Sequence, residues 1–337
     1  MRLEIGGLRL PSAVVQSPMS SVTDLPFRLV SRRRGLAFAF TEMVCAQALL
    51  RKNRKTLDLL KTAPGDRPLG AQVLGRDPAQ MAAAAAMLAE MGFDLIDINC
   101  GCPVKKVVAN GEGAALLDDP GRAERIFAAV RKAVKLPLTV KTRKGFHDES
   151  GLEAVELARR AEAQGLDAVT VHGRTRRQGY GGQADYEAVA RVRRAVAIPV
   201  IGNGDVRCGE DALRLKAVSG CQGVMIGRGA LGNPWLYLEV HRALTAAPSG
   251  KGEPQPSRAD GPLPVERCAA LLEHFDLEVE FLGPRQAALN MRRIGAWYTS
   301  GFPGAKNFRA GLCRAMDVGT LRRMILDFFA GLPGEPV

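Results

Sequence analysis

The feature that most constrains the fold is a repeated alternation of short apolar runs with segments of helical composition. The runs are rich in Val and Ile and lie at Ala13–Ser17, Ala37–Thr41, Leu69–Val73, Leu95–Asn99, Leu138–Thr142, Ala168–His172, Val200–Asn203 and Gly223–Gly227. Helical segments separate several of these runs, at Ala79–Met91, Gly121–Val134, Leu152–Gln164, Tyr186–Val196 and Gly209–Ala217. Buried strands joined by helical crossovers are typical of a parallel sheet covered on both faces. Eight such strands predict an α/β fold of the (β/α)8 TIM-barrel type.

A doubly wound parallel sheet is the alternative fold for this pattern. That fold normally carries the glycine motif G-x-G-x-x-G directly after its first strand. Here the first run ends in Gln16-Ser17-Pro18-Met19, and no such motif follows it. The count of eight runs therefore favours the barrel, which we place at residues 1–243.

The composition changes after the barrel. Residues 244–264 are rich in Pro, Gly, Ser and charged side chains without periodicity, which predicts a flexible linker. Four amphipathic helical segments follow, at Val265–Leu282, Pro284–Tyr298, Phe308–Arg314 and Thr320–Phe329. We therefore expect a small all-helical C-terminal domain at residues 265–332.

Several classes of protein are excluded or disfavoured by composition. No apolar stretch reaches the roughly 18 residues of a membrane span, and the N-terminus lacks the pattern of a secretory signal. Seven Cys, an odd number at irregular spacing, favour a reduced, cytoplasmic protein. No two of the four His lie at metal-ligand spacing, and Cys100 and Cys102 do not form C-x-x-C, so we expect no metal.

Polar residues follow the predicted strands, where barrel enzymes place their active sites. These strand ends are Ser17–Ser20, Thr41–Met43, Gln72, Asn99–Pro103, Lys141–Arg143, His172–Thr175, Asn203–Asp205 and Gly227–Gly229. The last two loops suit phosphate, because glycine lets backbone N–H groups approach closely and Arg228 adds a forked cation. Turn chemistry explains either loop alone, whereas the two together favour a phosphate site.

The strand-end residues alone leave several roles open. Lys141 could form a Schiff base with a carbonyl or hold the edge of a reduced flavin. Gln72 could bind a flavin or a substrate, and His172 could be purely structural. Cys102 could act as nucleophile or proton donor, and spacing does not separate it from Cys100.

Taken together, the motifs resemble the tRNA-dihydrouridine synthases, with the nearest likeness to the bacterial B-type group. The matching motifs are Ser17-Pro18-Met19, Thr41-Glu42-Met43, Ala71-Gln72-Val73, Asp97-Ile98-Asn99-Cys100-Gly101-Cys102-Pro103 with Lys106, Val171-His172-Gly173-Arg174-Thr175, Asn203-Gly204-Asp205 and Ile226-Gly227-Arg228. A weaker likeness continues through Gly283-Pro284, Trp297-Tyr298 and Phe308-Arg309.

The resemblance implies a barrel that binds FMN, with NADPH as the reductant and a helical tRNA-binding domain. Hydride passes from flavin N5 to C6 of a uracil, and Cys102 gives a proton to C5 from the opposite face. The implied FMN contacts are Pro18, Met19, Ser20, Gln72, Lys141, His172, Asn203, Gly204, Asp205, Gly227 and Arg228. The residues that resemble the uracil-binding set are Asn99, Lys141 and Arg143. Cys100 receives no role.

An RNA partner accounts for the basic charge, a net +12 for the chain. Residues 285–323 hold eight basic side chains and one acidic side chain, a net charge of +7. We expect RNA contacts from Lys105, Lys106, Arg174, Arg292, Arg293, Lys306 and Arg309. Trp297 and Tyr298 could stack on a base, although core packing fits them better.

Two alternatives from other classes remain open. One is a flavin barrel that acts on a small molecule such as free uracil or dihydroorotate, against which the basic helical tail argues; an rRNA substrate for the flavin barrel also stays open. The other is a non-catalytic RNA-binding protein on a decayed barrel, against which the intact polar strand ends argue. We also expect a monomer, because the basic face must stay free for RNA.

Overall fold

The computed structural model describes residues 2–246 and 261–332. Most of the predicted linker therefore lies outside the described residues. At its two ends the structure differs from the prediction, because one helix continues to Thr245 and the next begins at Pro264.

The chain begins with a short antiparallel hairpin that the sequence pattern does not reveal. Its strands are β1 (Leu3–Ile5) and β2 (Leu8–Leu10), joined by Gly6 and Gly7, both with positive φ. The apolar side chains of this hairpin pack against the inner residues at the start of the barrel strands, including Ala168 and Ile201. The hairpin thus covers the N-terminal end of the barrel.

Eight parallel strands form the barrel, in agreement with the predicted TIM-barrel fold. They are β3 (Val14–Gln16), β4 (Ala39–Phe40), β6 (Leu69–Leu74), β7 (Leu95–Cys100), β8 (Leu138–Gly145), β9 (Ala168–Thr175), β10 (Val200–Asn203) and β11 (Gly223–Ile226). Their order is β3-β11-β10-β9-β8-β7-β6-β4, and the short β5 (Val44–Cys45) pairs with β6. The barrel closes where the Gln16 N–H donates to the Phe38 carbonyl at 3.0 Å.

The described helices are α1 (Leu25–Arg32), α2 (Ala46–Leu50), α3 (Arg54–Asp58), α4 (Pro78–Glu90), α5 (Lys105–Ala109), α6 (Ala115–Asp118), α7 (Pro120–Ala133), α8 (Leu152–Ala163), α9 (Tyr186–Ala195), α10 (Gly209–Ser219), α11 (Leu236–Thr245), α12 (Pro264–Leu282), α13 (Pro284–Tyr298), α14 (Ala305–Leu312) and α15 (Val318–Ala330). Local chemistry fixes several starts. Asp77 and Asp119 accept the N–H groups of Gln80 and Arg122, and a proline follows each cap. Within the described ranges, none of these helices combines the length and apolar character of a membrane span.

The C-terminal helices α12 to α15 surround an apolar cluster of their own, which includes Phe275, Met291 and Ile325. This agrees with the predicted helical C-terminal region, whereas its boundaries stay a prediction. The region packs closely on the barrel, since a Cβ at Gly232 would lie 2.3 Å from the Trp297 carbonyl oxygen. The helical region therefore contributes to the surroundings of the barrel mouth.

Candidate active site

A cavity of about 790 Å³ opens at the C-terminal ends of the barrel strands. It is lined by all of the predicted cofactor residues and by the residues predicted to hold the reacting base: Pro18, Met19, Ser20, Gln72, Asn99, Cys102, Lys141, Arg143, His172, Asn203, Gly204, Asp205, Gly227 and Arg228. The topology places strand ends that are far apart in sequence around one opening. The cavity therefore brings together the polar groups that the sequence pattern singled out.

Cys102 lies on the loop after β7, and Asn99 shapes that loop. The side-chain oxygen of Asn99 accepts the backbone N–H groups of Gly101 at 3.1 Å and Cys102 at 2.9 Å. Gly113 allows the next segment to approach, because a Cβ there would lie 2.9 Å from Cys102 Cβ. Burial raises the pKa of the Cys102 thiol, so the thiol is protonated at neutral pH.

A chain of buried hydrogen bonds supports this loop from below. Gln72 Nε2 donates to Asp97 Oδ2 at 2.6 Å, and Asn99 Nδ2 donates to Gln72 Oε1 at 2.7 Å. Thr139 Oγ1 donates to the second Asp97 oxygen at 2.6 Å. Burial raises the pKa of Asp97 to about 6, so the carboxylate is an acceptor at neutral pH. The orientation of the Gln72 amide is therefore fixed by its partners.

Lys141 and His172 form a second buried group in the cavity wall. Lys141 Nζ donates to Asn203 Oδ1 at 3.2 Å, and Asn203 Nδ2 donates to the Met225 carbonyl at 2.8 Å. Burial, and next the charge of Arg143, lowers the pKa of Lys141 to about 8. Burial and then the Lys141 charge lower the pKa of His172 well below its ordinary value. The pair thus offers a cation and a neutral imidazole at neutral pH.

The loops after β10 and β11 form a rim that suits an anion. Asp205 Oδ2 accepts from Arg174 Nη2 at 2.7 Å and from the Ala184 N–H at 2.8 Å, while its buried Oδ1 has no hydrogen-bond partner. Arg228 lies 3.9 Å from that oxygen, is 48% exposed and stacks on Tyr180 at 4.5 Å. Gly204 has φ +133, and a Cβ there would lie 2.6 Å from Ala184 Cβ. Arg228 is therefore available to a ligand.

Arg143 connects two loops at the cavity mouth. Its Nε donates to the Gly101 carbonyl at 2.8 Å, and its Nη1 donates to the carbonyls of Thr175 at 3.1 Å and Gly179 at 2.8 Å. The first carbonyl belongs to the Cys102 loop and the other two to the Tyr180 loop. In this arrangement most of the Arg143 donors hold backbone, besides lining the cavity.

The residues predicted to contact RNA fall into three groups. Lys105, Lys106, Arg292 and Lys306 are exposed, and Arg309 is half-buried. Arg293 turns inward, since its buried Nε has no hydrogen-bond partner and its guanidinium lies 5.3 Å from the Trp297 ring. Arg174 needs a correction, because its side chain is buried and donates to Asp205 and to the carbonyls of Gly181 and Gly182. It braces the Asp205 loop rather than facing RNA.

Two aromatic residues of the cavity were not among the predicted contacts. Tyr180 lies on the glycine-containing loop after β9, where only the sequence Gln178-Gly179-Tyr180-Gly181 hinted at an exposed turn. Trp297 of α13 reaches the cavity from the helical region and also packs edge-on against Phe27 at 6.5 Å. Since Trp297 packs between the two parts of the chain, its predicted packing role holds, with cavity lining in addition.

The fold and the cavity define a class of protein. A closed parallel barrel with a protonated thiol, a buried amine and an anion-suited rim at its C-terminal mouth is a TIM-barrel enzyme.

The comparison with known families is specific. A model of the dihydrouridine synthase (Dus) family matches residues 15–325, and the chain belongs to this family. This confirms the resemblance found in the sequence motifs.

Curated relatives agree with this assignment, and solved structures share the barrel fold. The chain is 38% identical to a probable tRNA-dihydrouridine synthase of Rickettsia bellii, covering 98% of each chain. It is 38% identical to tRNA-dihydrouridine synthase B of Pseudomonas aeruginosa, covering 97% of this chain and 96% of the relative. The fold is similar to that of a 2-naphthoyl-CoA reductase, with a TM-score of 0.54 and 11% identity over 71% of this chain and 51% of the other. The fold is also similar to that of a histamine dehydrogenase from Rhizobium sp. 4-9, with a TM-score of 0.53 and 13% identity over 71% of this chain and 47% of the other. The chain thus spans about half of each of these larger enzymes, and the likeness shows the barrel fold alone.

Proposed function

We propose that the protein is an FMN-dependent tRNA-dihydrouridine synthase that reduces the C5–C6 bond of uridines in tRNA with NADPH as the reductant. The family membership supports the class of reaction, and relatives named as tRNA-dihydrouridine synthases match almost end to end. The observation that carries the proposal is the position of the Cys102 thiol, in one cavity with Lys141 and an anion-suited rim.

The cavity residues fit a flavin mononucleotide. A volume of about 790 Å³ falls within the roughly 300–1,000 Å³ of small-molecule pockets. The rim formed by Gly204, Gly227 and Arg228 would hold the phosphate, since its glycine backbone can approach closely and Arg228 is exposed. Gln72 and Lys141 would hold the polar edge of the ring system. When bound and reduced by NADPH, the flavin supplies the hydride that adds to C6 of the uracil.

The chain itself supplies the proton. Cys102 holds a proton on Sγ because burial raises the pKa of its thiol, and it donates that proton to C5 of the base. The charges of Arg143 and Lys141 favour the thiolate that remains. Asn99 sets the direction of this transfer through its bonds to the loop backbone. The Cys102 thiolate then takes up a proton from solvent after the product leaves.

The base is held by residues around the thiol. The ammonium of Lys141 and the guanidinium of Arg143 can donate to uracil carbonyl oxygens. One Asn99 N–H points to the sulfur of Met43 at 3.5 Å, a weak acceptor that a uracil carbonyl would replace. The base must leave its stack to reach this depth.

The exposed basic residues give the tRNA its path to the cavity. Lys105 and Lys106 begin α5, directly after the Cys102 loop, while Arg292 and Lys306 lie on the helical region. Contacts with phosphates position an RNA without reading its sequence. A monomer in the cytoplasm, with no metal in the reaction, remains the prediction from sequence.

The proposal is tested by mapping dihydrouridine in RNA from a strain that lacks the protein, before and after the gene is restored. We expect tRNA positions that lose dihydrouridine and regain it on restoration. Purified protein should carry FMN, identified by mass spectrometry, and modify tRNA with NADPH. Loss of modification from rRNA alone, or equal turnover of free uracil, would replace the tRNA assignment with one of the two flavin-barrel alternatives.

A further inference from the structure

The barrel and the helical region meet at a buried group of ionisable side chains outside the catalytic cavity. Asp24 caps the N-terminus of α1, and His274 and Glu278 lie one turn apart on α12. One ligand atom from each of these three residues lies within 4.8 Å of the others. The side chains of His274 and Glu278 are only 2% and 0% exposed. We call Asp24, His274 and Glu278 the interface triad.

Each member of the triad has one polar atom bound to protein, and the carboxyl groups of Asp24 and Glu278 also contact each other. His274 Nδ1 lies 3.3 Å from the Tyr298 hydroxyl, and Glu278 Oε2 accepts from Asn290 Nδ2 at 2.7 Å. Asp24 Oδ1 accepts the Phe27 N–H at 3.0 Å. The other two atoms, His274 Nε2 and Glu278 Oε1, lie 3.8 Å apart, and both are buried without a hydrogen-bond partner.

Several charged groups surround the triad. The positive charge of Arg293 acts on the carboxyl groups of Asp24, Glu278 and the neighbouring Glu42. The nearby Arg28 and Arg34 are paired elsewhere, with Asp66 at 2.8 Å and Glu273 at 2.6 Å. Because Asp66 also pairs with Arg32, and Glu273 with Arg33, the ionised groups of this cluster sum to zero. The close contact of the Asp24 and Glu278 carboxyl groups within it still requires a shared proton or a cation.

The second ring nitrogen of His274 is buried without a partner and can serve as a ligand. In the tautomer whose Nδ1 donates its N–H to the Tyr298 hydroxyl, the Nε2 lone pair faces Glu278 Oε1. A neutral imidazole whose other nitrogen is held by a hydrogen bond is the usual state of a metal-bound histidine.

We propose that the interface triad binds one divalent transition-metal ion of the Zn²⁺ type. One imidazole nitrogen and two carboxylate oxygens are ligands that Zn²⁺ accepts, usually with water in the remaining position. Bonds of about 2.0–2.2 Å from a common ion would place ligand atoms about 3–4 Å apart. His274 Nε2 and Glu278 Oε1 are 3.8 Å apart, and all three ligand atoms lie within 4.8 Å of one another, so ion binding would draw the set slightly together. Tyr298 and Asn290 then orient the ligands, and the ion takes the place of a proton shared by Asp24 and Glu278. Such an ion would join α1 of the barrel to α12.

This site is independent of the reaction, because none of its three ligands lines the catalytic cavity. Its ligands come from residues 24, 274 and 278, so cation binding would stabilise the contact between the barrel and the helical region. Removal of the ion should therefore change the thermal stability of the whole chain. The affinity for flavin should stay nearly unchanged while the melting temperature falls.

The test is the metal content of the full-length protein, measured by inductively coupled plasma mass spectrometry as purified and after equilibration with Zn²⁺ and gel filtration. We expect about one Zn²⁺ per chain, and a melting temperature that falls by roughly 5 °C on chelation and recovers with Zn²⁺. Anomalous diffraction at the zinc edge should give a peak between the three ligand atoms. Absence of bound Zn²⁺ in both samples, or a peak elsewhere, such as at the exposed Cys313, would overturn the proposal and leave protons and buried water in the triad.

A pair of matched variants separates the site from general histidine binding. His274→Gln should lose the bound Zn²⁺, whereas His147→Gln, at an exposed histidine, should keep it. Glu278→Gln provides a second ligand variant in case His274→Gln folds poorly, which circular dichroism would reveal. Retention of stoichiometric Zn²⁺ by a folded His274→Gln or Glu278→Gln protein would contradict the assignment.

Discussion

The side-chain oxygen of Asn99 accepts the backbone N–H of Cys102 at 2.9 Å, so the last polar residue of β7 fixes the loop that carries the thiol. The Asn99 amide nitrogen in turn donates to Gln72 Oε1, and Gln72 donates to the buried Asp97. The position of the reactive sulfur is thus set from inside the barrel. Loop mobility at the mouth need not displace it.

Substitution Cys102→Ala should abolish the proton transfer. We expect dihydrouridine formation to fall by about 10² to 10⁴-fold, since general acid catalysis contributes on this scale. Flavin content and tRNA affinity should stay within about twofold of the wild type.

The matched control is Cys100→Ala, two residues away. Cys100 is fully buried in the apolar core and does not line the cavity, so its loss should lower stability by about 1 kcal/mol and leave activity near normal. Rate measurements on both variants would contradict the assignment if Cys102→Ala stayed active while Cys100→Ala did not.

Substitution Asp97→Asn should disturb the amide chain. The carboxylate accepts from both Gln72 and Thr139, whereas an asparagine offers one acceptor oxygen and a competing NH2 group. We expect the unfolding free energy to fall by roughly 1–3 kcal/mol and flavin affinity to weaken, as measured by denaturant titration and fluorescence.

Thr139→Val is the comparison for Asp97→Asn. It removes only the second donor and leaves the Gln72 bond in place, so it should lower stability with little effect on flavin affinity. Equal loss of flavin affinity in both variants would show that the Gln72 orientation is not the cause.

Flavin affinity should depend on pH through Lys141. Because burial lowers the pKa of Lys141 to about 8, the ammonium is present below that pH and is lost as the pH rises through it. If the ammonium holds the polar edge of the flavin, affinity of the flavin-free protein should weaken above about pH 8. In Lys141→Met the affinity should be low and nearly flat from pH 6 to 9; an unchanged pH profile in that variant would assign the titration to another group.

Exposed and buried basic residues should behave differently. Lys105→Ala or Lys106→Ala should weaken tRNA binding and reduce its salt dependence by about one unit of log–log slope per lost phosphate contact. Arg174→Ala should instead lower the unfolding free energy by about 2 kcal/mol, at the low end for a buried pair because Asp205 is partly exposed. Filter-binding at several salt concentrations and denaturant unfolding distinguish the two effects. If the salt dependence of tRNA binding were reduced in Arg174→Ala as much as in Lys105→Ala, Arg174 would contact RNA after all.

Apolar periodicity predicted the barrel well, because the eight strands are buried on both faces and five helices separate them at recognisable caps. The hairpin Leu3–Leu10 was missed since three-residue strands are too short to show a period. Six helices were missed as well, namely α1, α2, α3, α5, α6 and α11; all but the ten-residue α11 have eight residues or fewer. Element length, more than composition, set the limit of the prediction.

For the site, strand ends were predictable because barrel topology dictates where they meet. Tyr180 and Trp297 were not, since a loop and a separate helical region bring them to the cavity. The sequence shows that Arg174 is charged, but its burial against Asp205 depends on how the two loops pack in the tertiary structure. The expectation of no metal considered histidine pairs and cysteines, and did not consider His274 with Glu278 four residues later.

The hairpin covers the N-terminal end of the barrel, and among the described residues the catalytic cavity opens at the C-terminal ends of the strands. In the proposed reaction both NADPH and tRNA would enter through this cavity mouth, and they could not occupy it at the same time. The two substrates would then bind alternately, and the oxidised dinucleotide would leave before the uridine enters. An excess of either substrate should inhibit binding of the other competitively.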